Sequence, residues 1–167
     1  DPDNPVAGIV DIYDTSDKDN ISLIGSITVS ASNYAMAVAL SPDQTKLFIA
    51  EYDTSGNTPG SVSVYDVSSV PTVVPTTPIQ TITLPGVTTG PIDLEIDNQG
   101  IVWVAADFGS NSSIYKIDSS NLGAGATLVH SITGAMTLEI SKSMNKLFVY
   151  QESGEVSIID TLTGSLT

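Results

Sequence analysis

Short runs in which large apolar residues alternate with small or polar ones make up most of the chain. Clusters of Gly, Pro, Asn, Asp and Ser separate them. That period-two pattern predicts half-buried strands joined by turns. Gly8 to Tyr13 is the first, and Ser22–Val29 the second. Ala35-Met36-Ala37-Val38-Ala39-Leu40 follows, with small and large apolar residues on opposite faces. After the turn Ser41-Pro42-Asp43-Gln44 comes Lys46–Ala50. The series then recurs as Ser61–Tyr65, Ile79–Leu84, Pro91–Ile96 and Ile101–Ala105. It returns as Ser113–Ile117, Thr127–Ile132, Met136–Ile140 and Lys146–Tyr150, and a last strand begins at Glu155. No stretch has helical periodicity with caps.

One stretch fixes the repeat. Val10-Asp11-Ile12-Tyr13-Asp14 returns as Val62–Asp66, Ile114–Asp118 and Val156–Asp160, its closing aspartates 52, 52 and 42 residues apart. The proline-rich insertion Val70–Pro78 accounts for part of the longer interval. A recurrence in the forties with strand chemistry in every unit predicts a radial array of small sheets. Four meandering strands per unit make a propeller blade. The expected fold is therefore all-β: one partial β-propeller over 1–167, of about three and a half blades, with approximate units 1–34, 35–90, 91–134 and 135–167. The count opens halfway through one blade and stops before another is complete. The expectation is a fragment, completed by more of the same polypeptide or by another copy.

Several motifs resemble known repeats. Ser41–Ala50 followed by Gly60–Asp66, and Ser141–Tyr150 followed by Gly154–Asp160, look like the YVTN-type β-propeller repeat of prokaryotic surface proteins. Val10–Asp17 through Leu23–Ile27 is similar to the LVIVD repeat. Gly90–Asp93 through Trp103–Ala105 is closer to NHL and SMP-30-like blades. The resemblance implies a propeller, and families of surface-layer and adhesion proteins as well as some lactonases and lyases.

Charge narrows the partners. Nineteen acids face five bases, all lysine, for a formal charge of −14. Without basic patches, nucleic acid is not an expected partner. The absence of cysteine excludes disulfides and thiolate chemistry, and no apolar run approaches a membrane span. Asn20 and Asn111 each open a glycosylation triplet. Few lysines, no cysteine and many hydroxyl residues point to an extracellular or cell-surface location. The initial Asp1 reads as the start of a processed or trimmed product.

Aligned inner strands place Asp93 level with Ala37 and Thr137, and Glu95 level with Ala39 and Glu139. Met36, Val38 and Leu40 and their counterparts fill the other face, expected to pack between blades. Asp93, Glu95 and Glu139 are thus the candidate ligands of a hard cation such as Ca²⁺, weighed against carboxylates facing water or bonding neighbouring backbone. Asp14, Asp17, Asp19 and Asn20 form an acidic turn that lacks EF-hand spacing. The repeated Asp14, Asp66, Asp118 and Asp160 are expected to accept backbone N–H bonds. His130 is alone, read as a strand-end surface residue, and no nucleophile elbow accompanies it. Trp103 is expected in the core, and Gly123–Ala126 as a flexible loop. Two functions follow. The first is a non-catalytic extracellular scaffold binding a protein or glycan through loops Asp53–Gly60, Val70–Pro78 and Asn121–Ala126. The second is part of a metal-dependent hydrolase, lactonase or lyase using the acidic set.

Overall fold

A computed structural model describes residues 7–30, 33–53, 59–107 and 112–167. The expected glycosylation site Asn111, residues 1–5 and most of the Asp53–Gly60 loop lie outside these. The fold is all-β, and every strand pairing is antiparallel. A two-stranded sheet comes first, β1 (Ile9–Asp14) with β2 (Ser22–Thr28). The second sheet meanders through β3 (Asn33–Leu40), β4 (Lys46–Asp53), β5 (Ser61–Asp66) and β6 (Gln80–Thr83). The third repeats this order with β7 (Pro91–Ile96), β8 (Ile101–Ala106), β9 (Ser113–Asp118) and β10 (Ala126–Ser131). The fourth holds β11 (Ala135–Ser141), β12 (Lys146–Gln151) and β13 (Val156–Asp160). Gly123 and Ala124, expected in a flexible loop, belong to a 3-10 turn over Leu122–Ala124.

The first strands of successive sheets lie against one another, β7 touching β3 on one side and β11 on the other. Three apolar clusters fill the spaces between sheets. Phe48, Ala50, Val62 and Val64 of the second sheet meet Leu94, Ile96, Val102 and Val104 of the third. Trp103, Ala105 and Ile114 of the third meet Leu138, Ile140, Leu147 and Val149 of the fourth. Ile27 and Val29 cover Leu47, Ile49 and Tyr65. Because side chains alternate along a strand, each sheet offers one apolar row to each neighbour.

The repeated aspartates act as expected. Each takes the backbone N–H two residues on: Asp14 from Ser16 at 2.8 Å, Asp66 from Ser68 at 2.9 Å, Asp118 from Ser120 at 2.8 Å and Asp160 from Leu162 at 3.0 Å. They close the turn leaving the third strand of each unit. Lys146 also reaches Asp160 at 2.9 Å. With Thr163, it holds that carboxyl down to about 2. The turns between first and second strands place Gln44, Gly100 and Asn145 at φ 60, 80 and 51°. Ahead of the first of these, Asp43 accepts from the Ser41 hydroxyl at 2.6 Å and from the Thr45 backbone at 3.1 Å.

Two features differ from the expected packing. Each first strand carries a bulge, at Ala35/Ala37, Pro91/Asp93 and Ala135/Thr137. The extra residue is Met36, Ile92 or Met136, and an unpaired bulge residue is free to leave the row; Met36 and Met136 are 42% and 41% exposed, whereas Ile92, at 7%, packs between the third and fourth sheets as expected. Val38 and Leu40 do not pack between sheets either, at 49% and 48% exposed. Among the described residues, the sheet before them consists of β1 and β2 alone, with no strand opposite β3.

Candidate functional site: the acidic row on the inner strands

Asp93 and Glu95 point to the same side of β7, and Glu139 holds on β11 the register position of Glu95. Glu95 pairs with Trp103 across its ladder as Glu139 does with Phe148. The bulges set this phase, since they begin just before Asp93 and Thr137.

Asp93 is a clasp between sheets. Its Oδ2 accepts from the Thr137 hydroxyl and from the Leu138 backbone N–H, both at 2.7 Å. Its Oδ1 accepts from Leu94 N–H at 2.9 Å. A carboxylate with charge-assisted bonds to the next inner strand fixes the lateral register of the two sheets. A neighbouring link joins the turns, where the Asn98 amide donates to the Lys142 carbonyl at 3.1 Å.

Glu95 is the strained member. Burial raises its carboxyl above the ordinary value, with repulsion from Glu139 and then Asp93 adding to the shift; Lys142 and the Ile96 backbone oppose it only in part. The folded state therefore holds the Glu95 proton more tightly than the unfolded chain does. The associated stability is full below the unfolded value of 4.5 and is lost as pH rises through the folded value. Glu95→Gln is accordingly expected to raise the melting temperature at pH 7 and to leave it unchanged near pH 3.5. Thermal unfolding at both pH values checks this, and a lower melting temperature at pH 7 would contradict it.

Among the described residues, no three His, Cys, Asp or Glu side chains are arranged to hold a metal ion. The three acids divide into one clasp, Asp93, and two mutually repelling carboxylates, Glu95 and Glu139. His130 is a correction to the surface reading. It sits within β10, half-buried, and its Nε2–H donates to the Gly164 carbonyl at 2.7 Å, tying the third sheet to the fourth. The loop Val70–Pro78 is also less free than expected, since Val74 packs against the cluster of Ile27, Leu47 and Tyr65.

Four described acids are buried, Glu51, Asp53, Asp97 and Asp107, and the sequence reading marked none of them as such. Asp107, 4% exposed and at φ 61°, takes both Thr88 N–H at 3.0 Å and Thr89 N–H at 2.8 Å. Asp97 accepts the Trp103 indole N–H at 3.0 Å and the Ile101 N–H at 2.9 Å. Glu51, fully buried, accepts the Asn33 amide at 3.0 Å through Oε2, while Oε1 has no partner among the described residues. Only Asp97 carried a signal, an acid six positions before a strand tryptophan.

No family model matches the chain, and no curated protein matches it. Solved structures do. The crystal structure of Chaetomium thermophilum Sqt1 is similar at 22% identity and a TM-score of 0.65, over 96% of this chain and 40% of that one. Sqt1 of the same organism bound to the N-terminus of the ribosomal protein L10 gives 21% identity and a TM-score of 0.63, over 97% of this chain and 43% of that one. The chain thus spans about two fifths of the length of the proteins it resembles. At such identities the likeness speaks for the fold alone, and with the stacked antiparallel sheets it supports a partial β-propeller.

Proposed function

We propose that the chain is a protein-binding propeller module, of about three and a half blades, whose acidic inner strands receive a lysine- or arginine-bearing segment of a partner. The observation that carries this is Glu95, half-buried at the register position that Glu139 holds on the next inner strand, with burial and the charge of Glu139 both pushing its carboxyl up. Perturbed, mutually repelling groups concentrate at functional sites, and an approaching cation would relieve the repulsion. The net charge of −14 extends the same field and favours encounter with basic partners. That one Sqt1 structure holds the N-terminus of another protein is consistent with a propeller used for binding protein.

Anisotropy titration of a labelled lysine-rich peptide, with a glutamate-rich peptide as control, tests the reading. Binding is expected for the basic peptide only, weakening as salt screens the field. Glu95→Gln with Glu139→Gln is expected to weaken it by about tenfold. Equal binding of both peptides, or no effect of the double substitution, would overturn the reading. The YVTN- and LVIVD-like motifs support placing the module at a prokaryotic cell surface. Protease shaving of intact cells tests that location, and protection of the chain would count against it.

A further inference from the structure

The junction between the second and third sheets and that between the third and fourth follow one plan and differ at one place. Lys116 of β9 holds the position of Val64 of β5, each two residues before its repeated aspartate. Each pairs with the large aromatic of the preceding strand, Lys116 with Trp103 and Val64 with Phe48. Across the junction, the fourth residue after the aspartate is Leu122 in one case and Gly164 in the other. Between the second and third sheets, Val64 is fully buried and Leu122 packs against the same cluster. Between the third and fourth, those positions carry an exposed lysine and a glycine at φ 75°.

With both apolar fillers replaced, a cavity of about 240 Å³ stands at the second junction, lined in part by Gln99, Ile101, Trp103, Lys116, Thr161 and Gly164. Its far wall is fixed by the backbone. Thr161 N–H donates to the Asn145 carbonyl at 2.9 Å, Gly164 N–H to the Asp160 carbonyl at 2.7 Å, and the Gly164 carbonyl accepts from His130 at 2.7 Å. The walls offer donors. Lys116 makes no ion pair among the described residues, whereas Lys18 and Lys146 are paired. Thr161 is 9% exposed, and its hydroxyl has no partner among the described residues, although buried polar groups ordinarily find one. The acids alongside are already engaged. Asp97 accepts from Gln99, Ile101 and Trp103, and Asp160 from Lys146 and Thr163.

We infer that this cavity is a binding site for a branched aliphatic residue bearing a free carboxylate, the chain-terminal leucine or valine of a partner protein. The aliphatic body takes the space that Leu122 takes at the other junction, against Ile101 and Trp103. The carboxylate meets the Lys116 ammonium at the mouth, with the Thr161 hydroxyl as a second donor. The cavity is smaller than the roughly 300 Å³ at which drug-sized pockets begin, so it admits one residue and not a longer segment. A glutamate side chain lacks the branched body, and a run of acids is repelled by the net charge of −14. A free aliphatic acid carries the same groups as a chain end, and the experiment below separates the two sources. The inference stands apart from the binding role proposed above, since it uses no residue of the acidic row.

Trp103 is the one tryptophan of the chain and lines the cavity, so its fluorescence reads occupancy. The probes are an uncharged, N-acetylated peptide ending in leucine with a free carboxylate, the same peptide amidated, and N-acetyl-leucine. The free-ended peptide is expected to bind at least about tenfold more tightly than the amidated one. Lys116→Gln should weaken it by about tenfold and, at an exposed position, leave the melting temperature unchanged. Thr161→Val should also weaken it while raising the melting temperature, because it removes a buried hydroxyl without a partner. Equal binding of the free-ended and amidated peptides, no fluorescence change with any probe, or no effect of Lys116→Gln would overturn the proposal. Tighter binding of N-acetyl-leucine than of the peptide would overturn the chain end as the source and assign the site to a free aliphatic acid.

Discussion

Trp103→Ala is expected to lower the unfolding free energy by about 3–5 kcal/mol, the cost of deleting a fully buried large aromatic. Trp103 is 1% exposed and fills the space between the third and fourth sheets, in the cluster with Leu138, Ile140 and Leu147. Removing it opens a void where two sheets meet, and backbone pinned in ladders on both sides has little freedom to collapse into it. The indole also donates to Asp97, itself 3% exposed, so its loss orphans a buried carboxylate oxygen. Trp103→Phe separates the two effects. It keeps most of the apolar volume and loses the bond, and should cost about 1–3 kcal/mol. Urea unfolding measures both, with an unchanged m-value showing that the folded state is otherwise retained. A loss under about 1 kcal/mol for Trp103→Ala would mean the sheets are not packed together at that point.

Gly60→Ala comes second, at about 1–3 kcal/mol or more. Gly60 immediately precedes β5, where its backbone lies against that of Glu51, Thr89 and Gly90. A methyl group there would strike the Glu51 carbonyl oxygen, with the Gly90 Cα at 2.9 Å and the Thr89 carbonyl at 3.1 Å. All three are backbone atoms, and Thr89 O is the shared acceptor of the Asp53 and Gly60 N–H groups, at 3.3 and 3.1 Å. No side chain can swing aside, so the strands must separate. Gly123→Ala is the control. Nothing lies within 4 Å of a Cβ there and its φ is not in the left-handed region. It should be neutral in the same urea experiment, and equal losses at the two sites would remove the close-approach argument.

The repeat was legible because it is written in local chemistry. An aspartate that caps its own turn needs no distant partner, so Asp14, Asp66, Asp118 and Asp160 announce the third strand of every unit. Alternation along a strand likewise declares which residues share a face, and it placed Leu94, Ile96, Leu138 and Ile140 in the spaces between sheets. What stayed hidden depends on neighbours remote in sequence. Val38 and Leu40 alternate as Leu94 and Ile96 do yet stay exposed, because cover is supplied by the neighbouring sheet and nothing in their own segment speaks of it. The bulges at Met36, Ile92 and Met136 leave alternation intact on either side, so the sequence shows no break.

The acidic row was half legible. Alignment of inner strands brought Glu95 and Glu139 to one level, as the ladders have them. The division of labour was not visible, because Asp93 owes its role to Thr137 and Leu138, more than forty residues away. Asp107 was missed for a related reason. Its counterparts in the neighbouring units are Tyr52 and Glu152, so the repeat gave no sign that this position caps Thr88 and Thr89.

Methyl NOE spectroscopy addresses the stacking of inner strands directly. The account predicts cross-peaks from the Ala37 and Ala39 methyls to Leu94 and Ile96, and from Leu138 and Ile140 to the Trp103 ring. Silence between those groups, with Leu94 and Ile96 instead contacting Ile27 and Val29 as in two sheets laid face to face, would contradict it.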